Sequence, residues 1–277
     1  MIKLIASDLD GTILKDDYTI PEDNLKAIDS LKKNNIPFVV CTGKTYSVSK
    51  DICKNLNANY GIFGNGNQII NLATGEEIEK RVLTTDEIKT CFSIAKKYNL
   101  HIHAYSENTI ITEKLMYMDL RSSILFSNTI NFVIVDSILD YIEKEKTLIL
   151  KLVISSSSKL NEVKEELEKI TNLSIMHINK TGVYKDTIIN KEYEYLDISP
   201  SLVSKGNALN ILKDYLNLDK ENILSIGDNI NDITMFESSG IGVAVNNAYD
   251  EVKKVANFTT SNSAENGGFA EAVYKFI

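Results

Sequence analysis

Short runs of continuous hydrophobic residues alternate along the first part of the chain with longer stretches of mixed polarity. Residues 1–7 and 36–41 are almost entirely apolar, which is typical of strands buried on both faces of a parallel sheet. Residues 22–34 and 45–56 repeat hydrophobic side chains every three or four positions and therefore predict helices with one buried face. Strands and helices in alternation indicate βαβ units, so we expect a doubly wound, mostly parallel α/β sheet.

The same pattern predicts several details of this first part. The first helix should bury Leu25, Ile28 and Leu31, which share one face. The apolar pairs on either side of a Lys-Asp-Asp sequence predict a short hairpin flap within residues 11–20. The remaining strands expected in this part are 59–63, 68–71 and 77–82.

The pattern changes after residue 83. Two halves, each with a helix followed by two strands, indicate an antiparallel sheet covered by helices, which makes an inserted α+β domain of residues 84–198. Its helices are expected near 85–98, 113–126, 136–145 and 159–170. Its strands are expected near 129–135, 147–154, 173–178 and 193–198, with two more within 101–113. The polar loop 179–192 receives no assignment.

The first pattern returns from residue 199. The expected helices are 205–216, 231–238 and 248–256, and the expected strands are 222–226, 242–245 and 258–260. We therefore assign residues 1–83 and 199–277 to one Rossmann-like domain, with the smaller domain 84–198 inserted as a cap. The two connections near 82–85 and 198–202 would form a hinge on which the insert can swing like a lid.

Composition and charge narrow the class of protein. Hydrophobic residues make up 43% of the chain and charged residues 25%, as in soluble globular proteins. The formal charge of -8 argues against a nucleic-acid binder, which needs a basic face. No stretch reaches the roughly 18 apolar residues of a membrane span, and Lys3 and Asp8 in the N-terminal run argue against a signal peptide. We therefore expect a cytoplasmic protein without membrane or nucleic-acid partners, whose 3 cysteines are reduced.

The candidate chemistry begins where the first strand ends. Asp8 and Asp10 are two positions apart, and in extended chain this spacing points both side chains the same way. Two carboxylates this close repel each other unless a cation or a proton holds them, which suggests a hard metal ion. In isolation, however, an Asp-x-Asp-Gly sequence is more often a turn with two solvated acids.

Three further junctions between strands and helices carry reactive polar residues, namely Thr42, Lys205 and the pair Asp228 and Asp232. Each has an ordinary alternative, which is a helix cap for Thr42, a solvated surface lysine for Lys205 and a capped turn for Asp228. In a doubly wound sheet, however, all of these junctions can meet at one crevice outside the strand ends. Their shared placement with the first acidic pair therefore favours a single site.

The ordered set of motifs resembles the haloacid dehalogenase-like (HAD) phosphatases. The matching segments are Asp8–Thr12, Thr42-Gly43, Ser204–Gly206 and Gly227–Asp232, with further matches at Asn65-Gly66, Val203–Leu209, Asn247-Ala248 and Asn262–Gly267. More narrowly, the chain looks like the Cof-type branch, whose type IIB cap is inserted between the second and third motifs. The resemblance covers the whole outer domain, and it implies a HAD core with an α+β cap that selects the substrate.

The resemblance also implies roles for individual residues. Asp8 would be the nucleophile that forms an aspartyl-phosphate, and Asp10 would protonate the leaving group and then activate water. Mg²⁺ would be held by Asp8, the backbone carbonyl of Asp10 and Asp228, with Asp232 in support. The phosphate and substrate contacts would be Leu9, Thr42, Gly43, Lys44, Lys205 and Asn231, where Asn231 bridges phosphate and Lys205. The branch usually has Arg at position 44, so a point charge replaces a bidentate fork.

Taken together, these expectations describe a Mg²⁺-dependent phosphatase acting on small phosphomonoesters, either sugar phosphates or phosphorylated cofactors such as flavin mononucleotide or pyridoxal phosphate. Candidate leaving-group contacts in the insert are His101, His103, Tyr105, Arg121, His177, Lys180 and Lys185. The alternatives are a phosphomutase of the same superfamily, a non-catalytic sugar-phosphate-binding regulator and, more remotely, a phospho-accepting receiver domain.

Overall fold

The chain forms two compact units. The structure, a computed structural model, describes residues 1–114, 131–156, 159–182 and 191–277. One unit, called the core unit, consists of Met1–Lys80 and Val203–Ile277. The other, called the insert unit, consists of Arg81–Leu202. The core unit is therefore built from both ends of the chain.

Strands and helices are numbered along the described part of the chain. The strands are β1 Leu4–Ser7, β2 Phe38–Cys41, β3 Tyr60–Phe63, β4 Gln68–Asn71, β5 Glu76–Lys80, β6 His101–Tyr105, β7 Thr109–Thr112, β8 Asn131–Ile134, β9 Lys151–Ser156, β10 Ser174–Gly182, β11 Lys191–Ser199, β12 Ile223–Gly227, β13 Ile241–Ala244 and β14 Phe258–Thr259. The helices are α1 Glu22–Lys33, α2 Tyr46–Asn55, α3 Thr85–Lys97, α4 Ile138–Glu145, α5 Leu160–Ile170, α6 Lys205–Tyr215, α7 Ile233–Glu237, α8 Asp250–Val255 and α9 Gly268–Phe276. Among the helices of the described ranges, none has the length and apolar character needed to cross a membrane.

Strand β1 lies in the middle of the core sheet. The sheet has 8 strands in the order β14-β13-β12-β1-β2-β3-β4-β5. In this order, the strands from β14 to β3 run parallel to one another, β4 pairs antiparallel with β3, and β5 pairs antiparallel with β4. This arrangement confirms the predicted doubly wound and mostly parallel sheet. The carboxyl ends of β12, β1 and β2 are therefore neighbours at the edge where such a sheet opens its crevice.

Helices cover both faces of the core sheet. On one face, Ile5 of β1 belongs to a hydrophobic cluster with Ile28 of α1 and Val273 of α9. On the other face, Leu4 belongs to a cluster with Leu209 of α6. Because side chains alternate along a strand, a continuous apolar run fills both clusters. Each fully buried Leu or Ile contributes about 1.5–3 kcal/mol relative to an exposed one.

The buried face of α1 differs from the predicted one, because it lacks Leu25 and includes Asn24 and Ala27. Leu25 is 39% exposed, so the prediction that it is buried is wrong. The buried neighbour is Asn24, whose Nδ2 donates to the carbonyl oxygen of Ile13 at 3.0 Å. Its Oδ1 accepts from the backbone N–H of Ala270, also at 3.0 Å. A polar side chain can occupy this core position because both of its ends are satisfied.

The predicted hairpin flap after Asp10 is also wrong. The carbonyl oxygen of Leu9 accepts hydrogen bonds from the N–H groups of Thr12, Ile13 and Leu14, which winds the chain into a tight turn. A single bridge between Asp10 and Leu14 stands where two paired strands were expected. Both Ile13 and Leu14 are buried in the core cluster, so this apolar pair packs in the core and not in a ribbon.

The C-terminal helix α9 is not among the predicted elements, although it completes the core. The ring of Phe269 is fully buried and meets Phe38 edge to face, with ring centroids 5.7 Å apart. The helix has 9 residues and follows Gly267 at φ 82 without a side-chain cap. It therefore lacks the usual signal for a helix start.

The insert unit contains the predicted antiparallel sheet covered by helices. Its 6 strands have the order β10-β11-β9-β6-β7-β8, and all neighbours are antiparallel except the parallel pair β7 and β8. Ile102, Leu152 and Leu196 point from one face into a core with Ile88 of α3 and Val163 of α5. Beyond residue 114, the predicted helix 113–126 lies outside the described residues, as does part of the loop 179–192.

Replacing Phe269 by Ala should lower the free energy of unfolding by about 3–5 kcal/mol, because a large cavity replaces a buried ring. Tyr274 lies in the same helix and is 55% exposed. Tyr274→Ala should therefore change the free energy by no more than about 0.5 kcal/mol. Urea denaturation of both variants measures the two values. Similar small effects for both would contradict the placement of α9 in the core.

Candidate active site

Four segments that the sequence singled out meet at the carboxyl edge of the core sheet. Asp8 directly follows β1, Thr42 directly follows β2 and Asp228 directly follows β12, and these three strands are neighbours. Lys205 is the first residue of α6, which Ser204 caps by accepting a hydrogen bond from the N–H of Asn207. The fold therefore brings the predicted groups to one place.

A buried lysine joins two of the carboxylates. Lys205 is 1% exposed, and its Nζ donates to Oδ1 of Asp8 at 2.5 Å and to Oδ1 of Asp232 at 2.7 Å. Burial on its own would lower the pKa of Lys205, but the charges of Asp232 and Asp8 outweigh it and raise the pKa above its ordinary value. This ammonium therefore stays charged, and removing either carboxylate would leave a buried charge poorly compensated.

The two carboxylates that hold this lysine form an acidic cluster with a third, Asp228. Asp8, Asp228 and Asp232 each offer an oxygen, and these oxygens all lie within 4.8 Å of one another. Burial raises the pKa of Asp8 to about 7, helped by the charges of Asp232 and Asp10 and opposed by Lys205. The pKa of Asp228 is also raised well above its ordinary value, first by burial and then by Asp8 and Asp232. An oxygen-only donor set whose negative charges exceed its single ammonium fits a hard divalent cation such as Mg²⁺.

The loop after β12 is ordered by Asp232. Its Oδ2 accepts hydrogen bonds from the N–H groups of Asp228 and Asn229, both at 2.9 Å. A Cβ atom at Gly227 would lie 2.4 Å from Cγ of Asp232, so this close approach requires glycine. Asp232 therefore uses one oxygen to shape the loop and the other to hold Lys205.

The carboxylate of Asp228 is oriented from the turn after β1. The hydroxyl of Thr12 donates to Oδ1 of Asp228 at 2.7 Å. Gly11 has φ 78, and a Cβ atom there would lie 2.7 Å from Oδ2 of Asp228. Any other residue at position 11 would be strained and would collide with the carboxylate. The turn that replaces the expected hairpin therefore places one member of the acidic cluster.

Asp10 lies outside the cluster of three carboxylates, and its side chain pairs with Lys44. The Nζ of Lys44 donates to Oδ1 of Asp10 at 2.5 Å and lies 5.0 Å from the centre of the Tyr18 ring. The side chain of Asp10 is 40% exposed, and that of Lys44 is 20% exposed. Lys44, which stands where the Cof-type branch usually has arginine, therefore forms an ion pair with Asp10, the predicted general acid and base.

The remaining residues that were predicted to contact phosphate have the following surroundings. Thr42 is buried, and its hydroxyl accepts from the N–H of Lys44 at 3.2 Å. The side chain of Leu9 is fully buried, so a phosphate contact at this residue would have to use its backbone N–H. The Nδ2 of Asn231 donates to Oδ1 of Asn65 at 2.9 Å. No hydrogen bond within the described ranges joins Asn231 to Lys205, which corrects the expected bridge.

The insert unit brings three of the predicted leaving-group candidates to one face of its sheet. His101, His103 and Tyr105 alternate along β6, and the Nε2 atoms of the two histidines lie 2.5 Å apart. Lys151 lies beside them, with its Nζ 5.3 Å from the centre of the Tyr105 ring and 2.5 Å from Oδ2 of Asp197. The fourth described candidate, His177, contacts Glu194 at 3.1 Å. Arg121, Lys185 and the side chain of Lys180 lie outside the described residues.

Several site residues were given no role from the sequence. Thr12 lies inside the first motif but received no role, and Asn65 lies in a Gly-Asn-Gly sequence that could have indicated a special turn. Tyr18 belongs to the stretch that was expected to form a hairpin. The pair Lys151 and Asp197 had no signal, because the two residues are 46 positions apart and meet only through pairing of β9 with β11.

Comparison with known proteins assigns the family. Residues 5–273 match the family described as haloacid dehalogenase-like hydrolase. A Bacillus subtilis (strain 168) protein named 5-amino-6-(5-phospho-D-ribitylamino)uracil phosphatase YcsE is 28% identical over 277 residues, covering 100% of this chain and 96% of that protein. The crystal structure of a haloacid dehalogenase-like hydrolase from Bacteroides thetaiotaomicron has a TM-score of 0.82 at 24% identity and covers 100% of both chains. The structure of the HAD subclass IIB sugar phosphatase BT4131 has a TM-score of 0.78 at 21% identity and covers 99% of this chain and 98% of its own.

These matches extend over both units. The family match begins in β1 and ends in α9, so it includes the four motifs and the insert. The matched solved structures have the same fold over essentially the whole chain, including one of subclass IIB. The chain therefore belongs to the haloacid dehalogenase-like hydrolases, the family that its motifs predicted.

Proposed function

We propose that this phosphatase depends on magnesium and hydrolyses small phosphomonoesters through an aspartyl-phosphate on Asp8. The observation that carries the proposal is the buried contact between Nζ of Lys205 and Oδ1 of Asp8 within the acidic cluster. A carboxylate that attacks an anionic phosphate needs positive charge close by, and the cluster supplies one fixed cation and oxygen ligands for a second. The family match and the names of its relatives support the reaction class.

Asp8 is the group that would attack phosphorus. Because Lys205 holds its Oδ1, the carboxylate has a fixed orientation. One carboxylate oxygen of Asp8 forms a bond to phosphorus while the bond from phosphorus to the leaving oxygen breaks. A water molecule then forms a bond to phosphorus, the bond to Asp8 breaks, and inorganic phosphate is released.

Asp10 would move the protons in both steps. It donates a proton to the leaving oxygen and then takes one from the attacking water. In the structure its carboxylate is paired with Lys44, so this pair has to open when the leaving group arrives. Lys44 therefore holds Asp10 in place between turnovers.

The oxygen donors of the site would hold Mg²⁺. Its ligands would be the carboxylates of Asp8 and Asp228 and the backbone carbonyl of Asp10, with Asp232 in support. When bound, Mg²⁺ would neutralise charge on the phosphate. Thr42 and the amides that follow it would donate to the phosphate oxygens on which charge develops.

The proposed substrates are small and carry their phosphate on an alcohol. The relative from Bacillus subtilis is named for a phosphate on a ribityl chain, and flavin mononucleotide carries a phosphate on the same kind of chain. Sugar phosphates and pyridoxal phosphate are the other candidates. We retain the prediction that residues of the insert unit, His103 and Tyr105 among them, select the leaving group.

The proposed location, partner and reaction are those of a metabolic enzyme. We propose a cytoplasmic location and a small phosphorylated metabolite as the main partner. A non-catalytic regulator has no need for the full set of Asp8, Asp10, Lys205 and Asp228, which this chain retains. A phosphomutase would return the phosphoryl group to a second hydroxyl, so its product would be an isomer and not inorganic phosphate.

The proposed function is tested by measuring phosphate release from p-nitrophenyl phosphate and a panel of phosphorylated metabolites in the presence of Mg²⁺. We expect release that stops on chelation with EDTA. A phosphorylated isomer without free phosphate would favour the mutase. If neither product appears with any substrate, the proposal is wrong.

Mg²⁺ should stabilise the protein more at about pH 8 than at about pH 5.5. In the metal-free protein the pKa of Asp8 is about 7, above the ordinary value of 3.8. A carboxyl group with a raised pKa stabilises the fold fully below its unfolded pKa, and that contribution is lost as the pH rises through about 7. Mg²⁺ binds the ionised form and restores stability by mass action.

Thermal unfolding with and without Mg²⁺ at both pH values measures this effect. Asp8→Asn removes one of the two carboxylates whose pKa is raised and should reduce the dependence on pH. An equal rise in Tm at both pH values in the parent protein would contradict the prediction.

Replacing Lys44 by Met should lower kcat by about 10-fold, because Asp10 loses the contact that holds it in place before each proton transfer. Lys44→Arg keeps the charge and should retain most of the activity. Lys50→Met is a matched control, since Lys50 is exposed on α2. Steady-state kinetics on p-nitrophenyl phosphate compares the variants, and a Lys44→Met enzyme as fast as its control would refute this role.

A further inference from the structure

We propose that Asn65 is a positioning residue that sets the distance between two loops of the active site. The phosphate-binding loop is Thr42–Lys44, which follows β2, and the acidic loop is Asp228–Asp232, which follows β12. The inference rests on the proposed function, because it assigns Asn65 to the same reaction. The mechanism described above gives this residue no part.

The backbone at Asn65 is held in an unusual conformation. Gly64, Asn65 and Gly66 have φ values of 58, 58 and 115, all in the left-handed region. Among residues with a side chain, Asn tolerates this region best. A Cβ atom at Gly66 would lie 2.5 Å from the carbonyl oxygen of Ser204, the residue that caps α6. The turn is therefore packed directly against the start of the helix that begins with Lys205.

The same turn is bonded to the phosphate-binding loop at both ends of that loop. The backbone N–H of Asn65 donates to the carbonyl oxygen of Thr42 at 3.0 Å, and the N–H of Gly64 donates to that of Lys44 at 2.8 Å. Between these bonds, a Cβ atom at Gly43 would lie 3.1 Å from Oδ1 of Asn65. The side chain of Asn65 thus lies against the middle of the loop that would bind the phosphate oxygens.

The side chain of Asn65 also reaches the acidic loop. Asn65 is 6% exposed, and its Oδ1 accepts from Nδ2 of Asn231 at 2.9 Å. The Oδ1 of Asn231 is buried and has no hydrogen-bond partner within the described part of the chain. Because the bond to Asn65 fixes the orientation of the Asn231 amide, it keeps this unsatisfied acceptor in place. A water molecule or a protonated phosphate oxygen could satisfy it.

Asn65 therefore connects three segments that carry the proposed chemistry. Its turn touches the phosphate-binding loop, the acidic loop and the first turn of α6. The rate of a reaction depends strongly on the spacing of the catalytic and binding groups, since a displacement of about 1 Å can lower the rate about 100-fold. Asn65 acts through Asn231 and Thr42–Lys44, so its loss should weaken binding of the transition state more than binding of Mg²⁺.

The Asn65→Gly variant separates the side chain from the backbone, because glycine adopts φ 58 without strain. Asn35→Gly is the matched control, since Asn35 is also left-handed, at φ 55, but is exposed at the end of α1. For parent and variants we would measure kcat and KM on p-nitrophenyl phosphate, inhibition by vanadate, the Mg²⁺ concentration needed for half activity and Tm. Vanadate serves as the probe because it mimics the five-coordinate transition state of phosphoryl transfer.

We expect Asn65→Gly to lower kcat/KM by about 10–100-fold and to weaken vanadate inhibition by a similar factor. Its Mg²⁺ requirement and Tm should stay close to those of the parent, and Asn35→Gly should match the parent throughout. Gly43→Ala presses on Oδ1 of Asn65 from the other side and should give a smaller loss of the same kind. It serves as the test if Asn65→Gly does not fold.

Three results would overturn the inference. The first is an Asn65→Gly enzyme with the parent's kcat/KM and vanadate inhibition. The second is a loss of activity that only follows a loss of folded protein, which would make the residue merely structural. The third is a Gly43→Ala enzyme without any change. If the parent itself releases no phosphate, the proposed function fails first, and that outcome is seen separately in the parent.

Discussion

The burial of one ammonium group is the constraint on which the site depends. Lys205 is almost completely removed from water, and such a charge is tolerated only where opposite charges and hydrogen bonds surround it. Asp8 and Asp232 provide both, from the segments that follow two neighbouring parallel strands. The order of strands, the start of α6 and the glycines next to the carboxylates all serve to bring these three side chains together.

The charges of the site do not balance without a ligand. Among the described residues, the cluster has three carboxylates and only one buried lysine beside it. Burial and the mutual repulsion of the carboxylates therefore raise the pKa values of Asp8 and Asp228. A divalent cation would restore the balance and keep the carboxylates ionised, which nucleophilic attack by Asp8 requires. The same imbalance thus explains the raised pKa values and the proposed need for Mg²⁺. A bound divalent cation would also attract a phosphate to a chain with net charge -8.

The sequence predicted the sheet and the meeting of the main candidate residues at one of its edges, because both follow from local signals. Apolar runs ending in polar residues mark parallel strands, and the ends of such strands meet at one edge. Several of the failures concern contacts between distant positions. Asn24 is buried through a bond to Ala270, 246 positions away, and Asn231 is oriented by Asn65, 166 positions away. The charge of Lys44 reaches Asp10 across 34 positions. The periodicity of hydrophobic residues along the chain does not indicate which distant residues will meet.

The most direct test of the central claim is to trap the covalent intermediate. Enzyme is mixed with Mg²⁺ and a rapidly hydrolysed substrate, quenched in acid within a turnover and mapped by mass spectrometry of proteolytic peptides. We expect one phosphoryl group on the peptide that contains Asp8, and none in the Asp8→Asn variant. A phosphoryl group on another residue, or full turnover by Asp8→Asn, would show that Asp8 is not the nucleophile.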